Sequence, residues 1–238
     1  MLRGTWRVLD RLTYHAARIH RLYTLSRRPA EFCVKSAFMT LSITVTALLW
    51  TLCSFWLGAI PFSVWLGQLV LQTDIRTYGD GNPGATNAWK AGGWRLGLPA
   101  LFLDYLKGAI PVGVAHFRIG LTGWSLAAVV LAPVFGHVFS PFLRFRGGKA
   151  LAVTFGVWTG LTLSEYPVIF GSFLGLFLLV QTVHGWAVTF GVLTVLVYQL
   201  FFAEPIDLLI IWGINGGLLI WKYRSDLRET PRLRSLVR

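Results

Sequence analysis

The chain has 238 residues, 55% of them hydrophobic and 13% charged, with a mean hydropathy of +0.60. These values exclude an ordinary soluble domain and describe an all-α polytopic membrane protein, a helical bundle around one compact core. The net charge of +12 suits a bilayer with anionic lipid better than nucleic acid, because the cations gather at the two termini and in short connections. Cys33 and Cys53 belong to no CxxC or Cys/His pattern, so no metal site, cofactor or disulfide framework is expected, and both read as small apolar packing residues.

Residues 1–31 carry seven arginines against Asp10 and Glu31, with Trp6, Leu9, Leu12, Ala16, Ile19 and Tyr23 spaced as one helical face. Such a basic amphipathic arm suits the headgroup region, a targeting sequence, or upstream sequence preceding a start at Met39. From Ser36 to Thr73 there is no charge, a run longer than one helix needs to cross a core of about 30 Å. The first span is placed at Thr51–Leu71, with a kink or break at Pro61. A polar loop over Gln72–Leu96 follows. Further spans are expected near Gly97–Phe117, Thr122–Phe142, Ala150–Leu163, Tyr166–Thr182, Trp186–Phe202 and Ile206–Trp221, about seven in all. The domain order is therefore a basic arm with an apolar extension over 1–49, a membrane domain over 50–228 and a basic tail over 229–238.

An odd number of spans puts the two polar loops and the C-terminal tail on one side, where Arg76, Lys90, Arg146, Lys149 and Arg228 make it the cytoplasmic side of a cell membrane. The arginines of the arm would then face outward. An extra span in residues 32–50, an arm returning to the inner surface, or a start at Met39 would each resolve this conflict. No internal repeat of fixed period is visible, which weakens a transporter built on inverted repeats.

Chemistry concentrates in the polar connections. Gly79-Asp80-Gly81-Asn82-Pro83-Gly84-Ala85-Thr86-Asn87 reads either as a flexible surface loop or as an anion cradle. In the second case its glycines let backbone N–H groups converge while Asn82, Thr86 and Asn87 add neutral donors. Phe145-Arg146-Gly147-Gly148-Lys149 repeats the ingredients, two glycines and two cations. Asp104 and Lys107 share a face of an apolar helix; they either fix packing as a local ion pair or border a polar pocket. His137, close in sequence to Lys149, is either a hydrogen-bonded interface residue or part of a site, whereas His116 and His184 fall at span ends and read as interfacial. There is no Ser-His-Asp order, paired-carboxylate arrangement, HEXXH or Walker motif. Two glycine-lined cationic loops on one aqueous side favour a phosphate-bearing substrate, and a reactive acyl donor would need no enzyme nucleophile.

Three blocks resemble the bacterial acyl-phosphate:glycerol-3-phosphate acyltransferases of phospholipid synthesis. Gly58-Ala59-Ile60-Pro61-Phe62-Ser63 is similar to GSIPFG; Asp74-Ile75-Arg76 with Gly79 to Asn87 is similar to DxR…GSGNxGATN; Gly136 to Lys149 is similar to GHxFxxFLxFKGGKG. Asp104-Tyr105-Leu106-Lys107-Gly108 also resembles DxLKG, and the likeness runs from about Thr51 to Arg228. It implies a seven-span membrane enzyme, expected to act as a monomer, that moves a fatty acyl group from acyl phosphate to glycerol 3-phosphate and gives lysophosphatidic acid. By position it implies catalytic roles for Lys149, Lys90 and His137. It also implies substrate binding by Asp80, Gly81, Asn82, Gly84, Thr86, Asn87, Ser140, Gly147 and Gly148. Departures from the pattern are Asp80 for serine, Ala59 for serine, Ala150 for glycine, and Tyr223-Arg224-Ser225-Asp226-Leu227 where the family shows HRENI. An Arg-Tyr pair expected around Val183 and His184 is missing too. The alternatives are an inactive or altered-acceptor relative, for which Asp80 would suit a less anionic group, and a membrane carrier for an anionic metabolite.

Overall fold

The computed structural model describes Phe38 and residues 40–234, so the basic arm and the start at Met39 lie outside the described residues. The chain divides into two compact units, residues 1–46 and 47–238. Of the first, residues 40–46 are helical. The second holds α1 over residues 47–59, α2 (Phe62–Leu71), α3 (Ala85–Gly92), α4 (Trp94–Gly113), α5 (Gly123–Val138), α6 (Leu151–Thr162), α7 (Glu165–Val180), α8 (His184–Phe201) and α9 (Ile206–Lys222). There is no strand among the described residues, only an isolated bridge between Gln181 and Leu233.

Four stretches are long and apolar enough to cross a bilayer, Thr40–Leu71, Trp94–Arg118, Gly123–Leu143 and His184–Phe201, while Leu151–Thr162 and Glu165–Val180 are apolar but shorter. The last expected span is a 17-residue helix. His116 sits in a π-helical turn after α4 and His184 opens α8, both at helix ends as expected. Cys53 departs from expectation: it is exposed on α1 rather than packed. The loop expected over Gln72–Leu96 also departs, because Ala85–Gly92 is helical and α4 begins at Trp94. Gly84 ends the loop in an extended conformation, and the amphipathic run after it packs Asn87 and Ala88 inward.

Pro61 interrupts the first long helix at the expected place, because proline has no N–H to donate and its ring clashes with the preceding turn. The break strips the Ala59 and Ile60 carbonyls of helical partners, which in an apolar core costs free energy unless side chains replace them. Ser140 Oγ donates to Ala59 O at 2.6 Å, and Lys107 Nζ donates to Ile60 O at 2.9 Å. On the other side of the break, Ser63 Oγ donates to Asp104 Oδ2 at 2.9 Å. Asp104 Oδ1 meets Lys107 Nζ at 2.8 Å as an ion pair without hydrogen-bond alignment, and both side chains are almost completely buried. Packing is thus one role of this pair.

Helices α4 and α6 lie backbone to backbone. A side chain on Gly156 would strike the carbonyl of Tyr105, so the contact requires a residue without Cβ, the close packing of small residues seen between membrane helices. Behind α6, Trp158 joins the remaining bundle. Its indole donates to Asn215 Oδ1 at 3.0 Å, its ring stacks on Tyr166 with centroids 4.7 Å apart, and Asn215 donates in turn to Thr154 Oγ1 at 2.9 Å. Polar groups on α6 and α9 therefore satisfy one another inside the apolar layer.

Removing one partner of a buried ion pair strands the other charge, at a typical cost of about 3 kcal/mol or more. Lys107→Met is therefore expected to lower the melting temperature of the detergent-purified protein markedly. The double variant Asp104→Leu with Lys107→Met should recover part of that loss, as read by thermal unfolding.

Candidate active site

Three connections converge beside the α4–α6 contact. The first is the loop over Gly79–Gly84 ahead of α3, the second runs from Arg144 to Ala150 ahead of α6, and the third is the turn Asp226–Arg228 after α9. Their meeting point is Lys149. Its Nζ lies 2.9 Å from Asp80 Oδ2, 3.2 Å from Asp226 Oδ2 and 4.3 Å from the centroid of the Tyr223 ring.

The second loop is fixed from below and from the side. Gly147 N and Gly148 N each donate at 3.1 Å, to the carbonyls of Val138 and His137 at the end of α5. Gly148 rests directly on the buried imidazole of His137, where any Cβ would collide with the ring. Lys222, at the end of α9, donates from Nζ to Gly147 O at 2.6 Å. His137 thus supports the loop that carries Lys149, and its ring also borders the cleft.

The first loop is organised by Asp80 and Asn87. Asp80 Oδ1 accepts from Asn87 Nδ2 at 2.9 Å and from Asn82 N at 3.2 Å, while Asn87 Nδ2 also donates to Asn82 O at 2.9 Å. Asn87 is fully buried, so it shapes the loop from inside. Burial pushes the Asp80 carboxyl up, but the Lys149 ammonium and the hydrogen bonds from Asn82 and Asn87 more than offset that, leaving it below its ordinary value of 3.8. With the folded value depressed, this carboxylate's stabilising contribution is complete above pH 3.8 and fades as pH falls through the lower folded value. Burial first, and then the carboxylates of Asp226 and Asp80, push the Tyr223 phenol above its ordinary range, so it remains a neutral donor near neutral pH.

An inner cleft of about 150 Å³ opens between Asn82, Gly84, Thr86, Asp104, His137 and Lys149. The two expected roles of the Asp104–Lys107 pair therefore fall on different members: Lys107 holds the helix break and Asp104 borders the polar pocket. The cleft receives the first turns of α3 and α6 through Ala85, Thr86, Leu151 and Ala152, and first-turn N–H groups lack intrahelical acceptors. An outer cleft of about 490 Å³ lies on the other side of Lys149, with Gly81, Asn82, Gly147, Lys222, Arg224 and Arg228 on its walls. An apolar groove of about 880 Å³, walled by Trp94, Leu98, Phe102 and Tyr105, joins the inner cleft through Leu101, Ala152 and Phe155.

Most of the residues singled out in the sequence meet here, and two stand apart. Ser140 is buried and committed to Ala59 O, so it serves the helix break. Lys90 is exposed, lines neither cleft and places its ammonium against Gly79. The sequence reading left out Lys222, Tyr223 and Asp226 as site residues. The departures at Tyr223 and Asp226 were the signal that could have found them, since both fall on Lys149.

The profile of the glycerol-3-phosphate acyltransferase family matches residues 48–232. Among curated relatives, the glycerol-3-phosphate acyltransferase 1 of Thermotoga maritima is 35% identical over 186 residues, covering 72% of this chain and 91% of that protein. The glycerol-3-phosphate acyltransferase of Thermus thermophilus is 38% identical over 193 residues, 78% of this chain and 92% of that one. The crystal structure of an integral membrane glycerol 3-phosphate acyltransferase, in its glycerol 3-phosphate form, superposes with a TM-score of 0.70 at 30% identity, over 77% of this chain and 90% of that one. Its lysophosphatidic acid form gives a TM-score of 0.68 at 29% identity, with the same coverage. A matched region that takes in α1 to α9 and all three converging connections places this chain in the glycerol-3-phosphate acyltransferase family.

Proposed function

We propose that this membrane protein transfers a fatty acyl group from acyl phosphate to glycerol 3-phosphate, giving lysophosphatidic acid and inorganic phosphate at the cytoplasmic face. The observation that carries the reading is the junction of a small polar cleft, bearing Lys149 and two helix N-termini, with a long apolar groove. Phosphate oxygens suit the first, and an acyl chain suits the second at about 0.8 kcal/mol per buried methylene.

In the reaction the acceptor hydroxyl oxygen attacks the acyl carbonyl carbon, the bond from that carbon to the phosphate oxygen breaks, and the hydroxyl proton passes to a phosphate oxygen of substrate. No acyl-enzyme is needed. Lys149 stabilises charge on the departing phosphate, Asn82 and Thr86 orient its oxygens, and His137 holds the Gly147–Gly148 backbone in place. Lys90 stands at the mouth of the first loop, where it attracts phosphates before they enter.

Purified protein in lipid or detergent, given acyl phosphate and glycerol 3-phosphate, should release phosphate only when both are present. Release without the acceptor, or none at all, would exclude the transfer. Lys149→Ala should lower turnover by about a hundredfold or more, the usual effect of losing a group that stabilises charge in the transition state; unchanged turnover would remove Lys149 from the mechanism. Ala152→Phe, which narrows the junction of groove and cleft, should raise KM for long-chain acyl phosphates by about tenfold and leave short-chain donors much less affected, the difference being lost methylene burial.

A further inference from the structure

Lys149 is one cation shared by two carboxylates. Its Nζ stands 2.9 Å from Asp80 Oδ2 and 3.2 Å and 3.3 Å from the two oxygens of Asp226. The three residues come from three different connections, so the cluster exists only in the folded chain. Within this trio the charges sum to one negative, with Lys222, Arg224 and Arg228 as further cations on the adjoining cleft, where the proposed reaction must hold a doubly negative phosphate group. Neither carboxylate is locked away: the Asp80 side chain is 49% exposed and that of Asp226 22%. Asp80 faces the ammonium from the outer cleft, whose rim supplies Arg224 and Arg228, and Asp226 reaches it from the turn after α9, where it also accepts from Ser225 Oγ at 3.1 Å.

A lysine compensated in this way still binds an anion, but each neighbouring carboxylate repels the ligand in proportion to the ligand's own charge. We propose that Asp80 and Asp226 are specificity-determining residues, which share Lys149 at rest and so weaken its grip on doubly charged phosphate groups more than on singly charged ones. This rests on the reading of the cleft as a phosphate site. Two consequences follow for the transfer reaction. Inorganic phosphate produced by each turnover is released readily, and glycerol 3-phosphate is held with a high KM. The carboxylates also tie the loop before α3 and the turn after α9 to the loop before α6, so a phosphate that takes Lys149 must loosen both ties.

The test is a binding measurement on the full-length protein in detergent, independent of turnover. Inorganic phosphate at mildly alkaline pH serves as the dianion and dimethyl phosphate as the monoanion, each titrated by calorimetry into wild type, Asp80→Ser, Asp226→Asn and the double variant. Removing a carboxylate is expected to tighten phosphate binding by about tenfold, and by about a hundredfold in the double variant. Because the Coulomb energy is linear in ligand charge, dimethyl phosphate should gain only the square root of each factor, about threefold and about tenfold. Asp80→Glu, which keeps the charge, should retain the weak binding of the wild type. Asp80→Asn, which removes charge while keeping the shape, replaces Asp80→Ser if that variant does not fold.

Equal gains for the two ligands, no gain, or weaker binding would overturn the proposal, and a fall in melting temperature without any change in affinity would show that the carboxylates only hold the segments together. Wild-type protein that binds phosphate with the expected charge dependence yet transfers no acyl group would overturn the reaction and leave the charge selectivity standing, so the two failures are distinct.

Discussion

At the centre of the structure lies a buried ammonium with two duties. Lys107 neutralises Asp104 and donates to the carbonyl that Pro61 leaves exposed, so one side chain joins α4 to the broken first helix. Charges inside an apolar layer persist only when paired and hydrogen-bonded, and every partner here is within 3 Å. Together with Ser140, Lys107 supplies the partners that the carbonyls at the break lack. Beyond the break α2 leads into the loop whose Asp80 reaches Lys149, just ahead of the first turn of α6.

That space is shaped by layers of support. The end of α5 carries His137, the imidazole carries Gly148, and the next residue is Lys149. From the opposite side Lys222 grips the Gly147 carbonyl, while the tail folds back so that Arg232 N donates to Gln181 Oε1 at 2.9 Å and Trp186 Nε1 donates to Glu229 O at 2.9 Å. The C-terminal connection is therefore anchored at both ends, at α9 and at the turn between α7 and α8. Asp226, between those anchors, reaches Lys149 as part of a fixed segment, which is why a residue near the end of the chain belongs to the site.

Polarity and apolarity are divided just as deliberately between neighbouring volumes. The inner cleft, about 150 Å³, suits a headgroup rather than a chain, whereas the groove of about 880 Å³ presents Trp94, Leu98 and Phe102 to a chain. Beside the close contact of α4 and α6 at Gly156, the residues shared by both volumes, Leu101, Ala152 and Phe155, form the passage from one to the other. In the proposed reaction this boundary is where the acyl donor's carbonyl is placed. The family membership and the geometry thus point to the same chemistry from independent directions.

Sequence alone determined the membrane class, the positions of α4 to α9 to within a few residues, the break at Pro61, the Asp104–Lys107 pair and the two glycine-bearing loops, because hydropathy, proline stereochemistry and helical spacing are local properties. It also marked the departures at Asp80, Tyr223 and Asp226, but as separate oddities. Only the tertiary structure decided that all three surround Lys149, that Ser140 serves the helix break, that Lys90 stays outside the cleft, and that Ala85–Gly92 is a helix whose first turn faces it. The physical reason is separation along the chain. Asp80, Lys149 and Asp226 meet because helix packing and backbone hydrogen bonds bring three distant connections together, and no local pattern of residues encodes a contact of that kind.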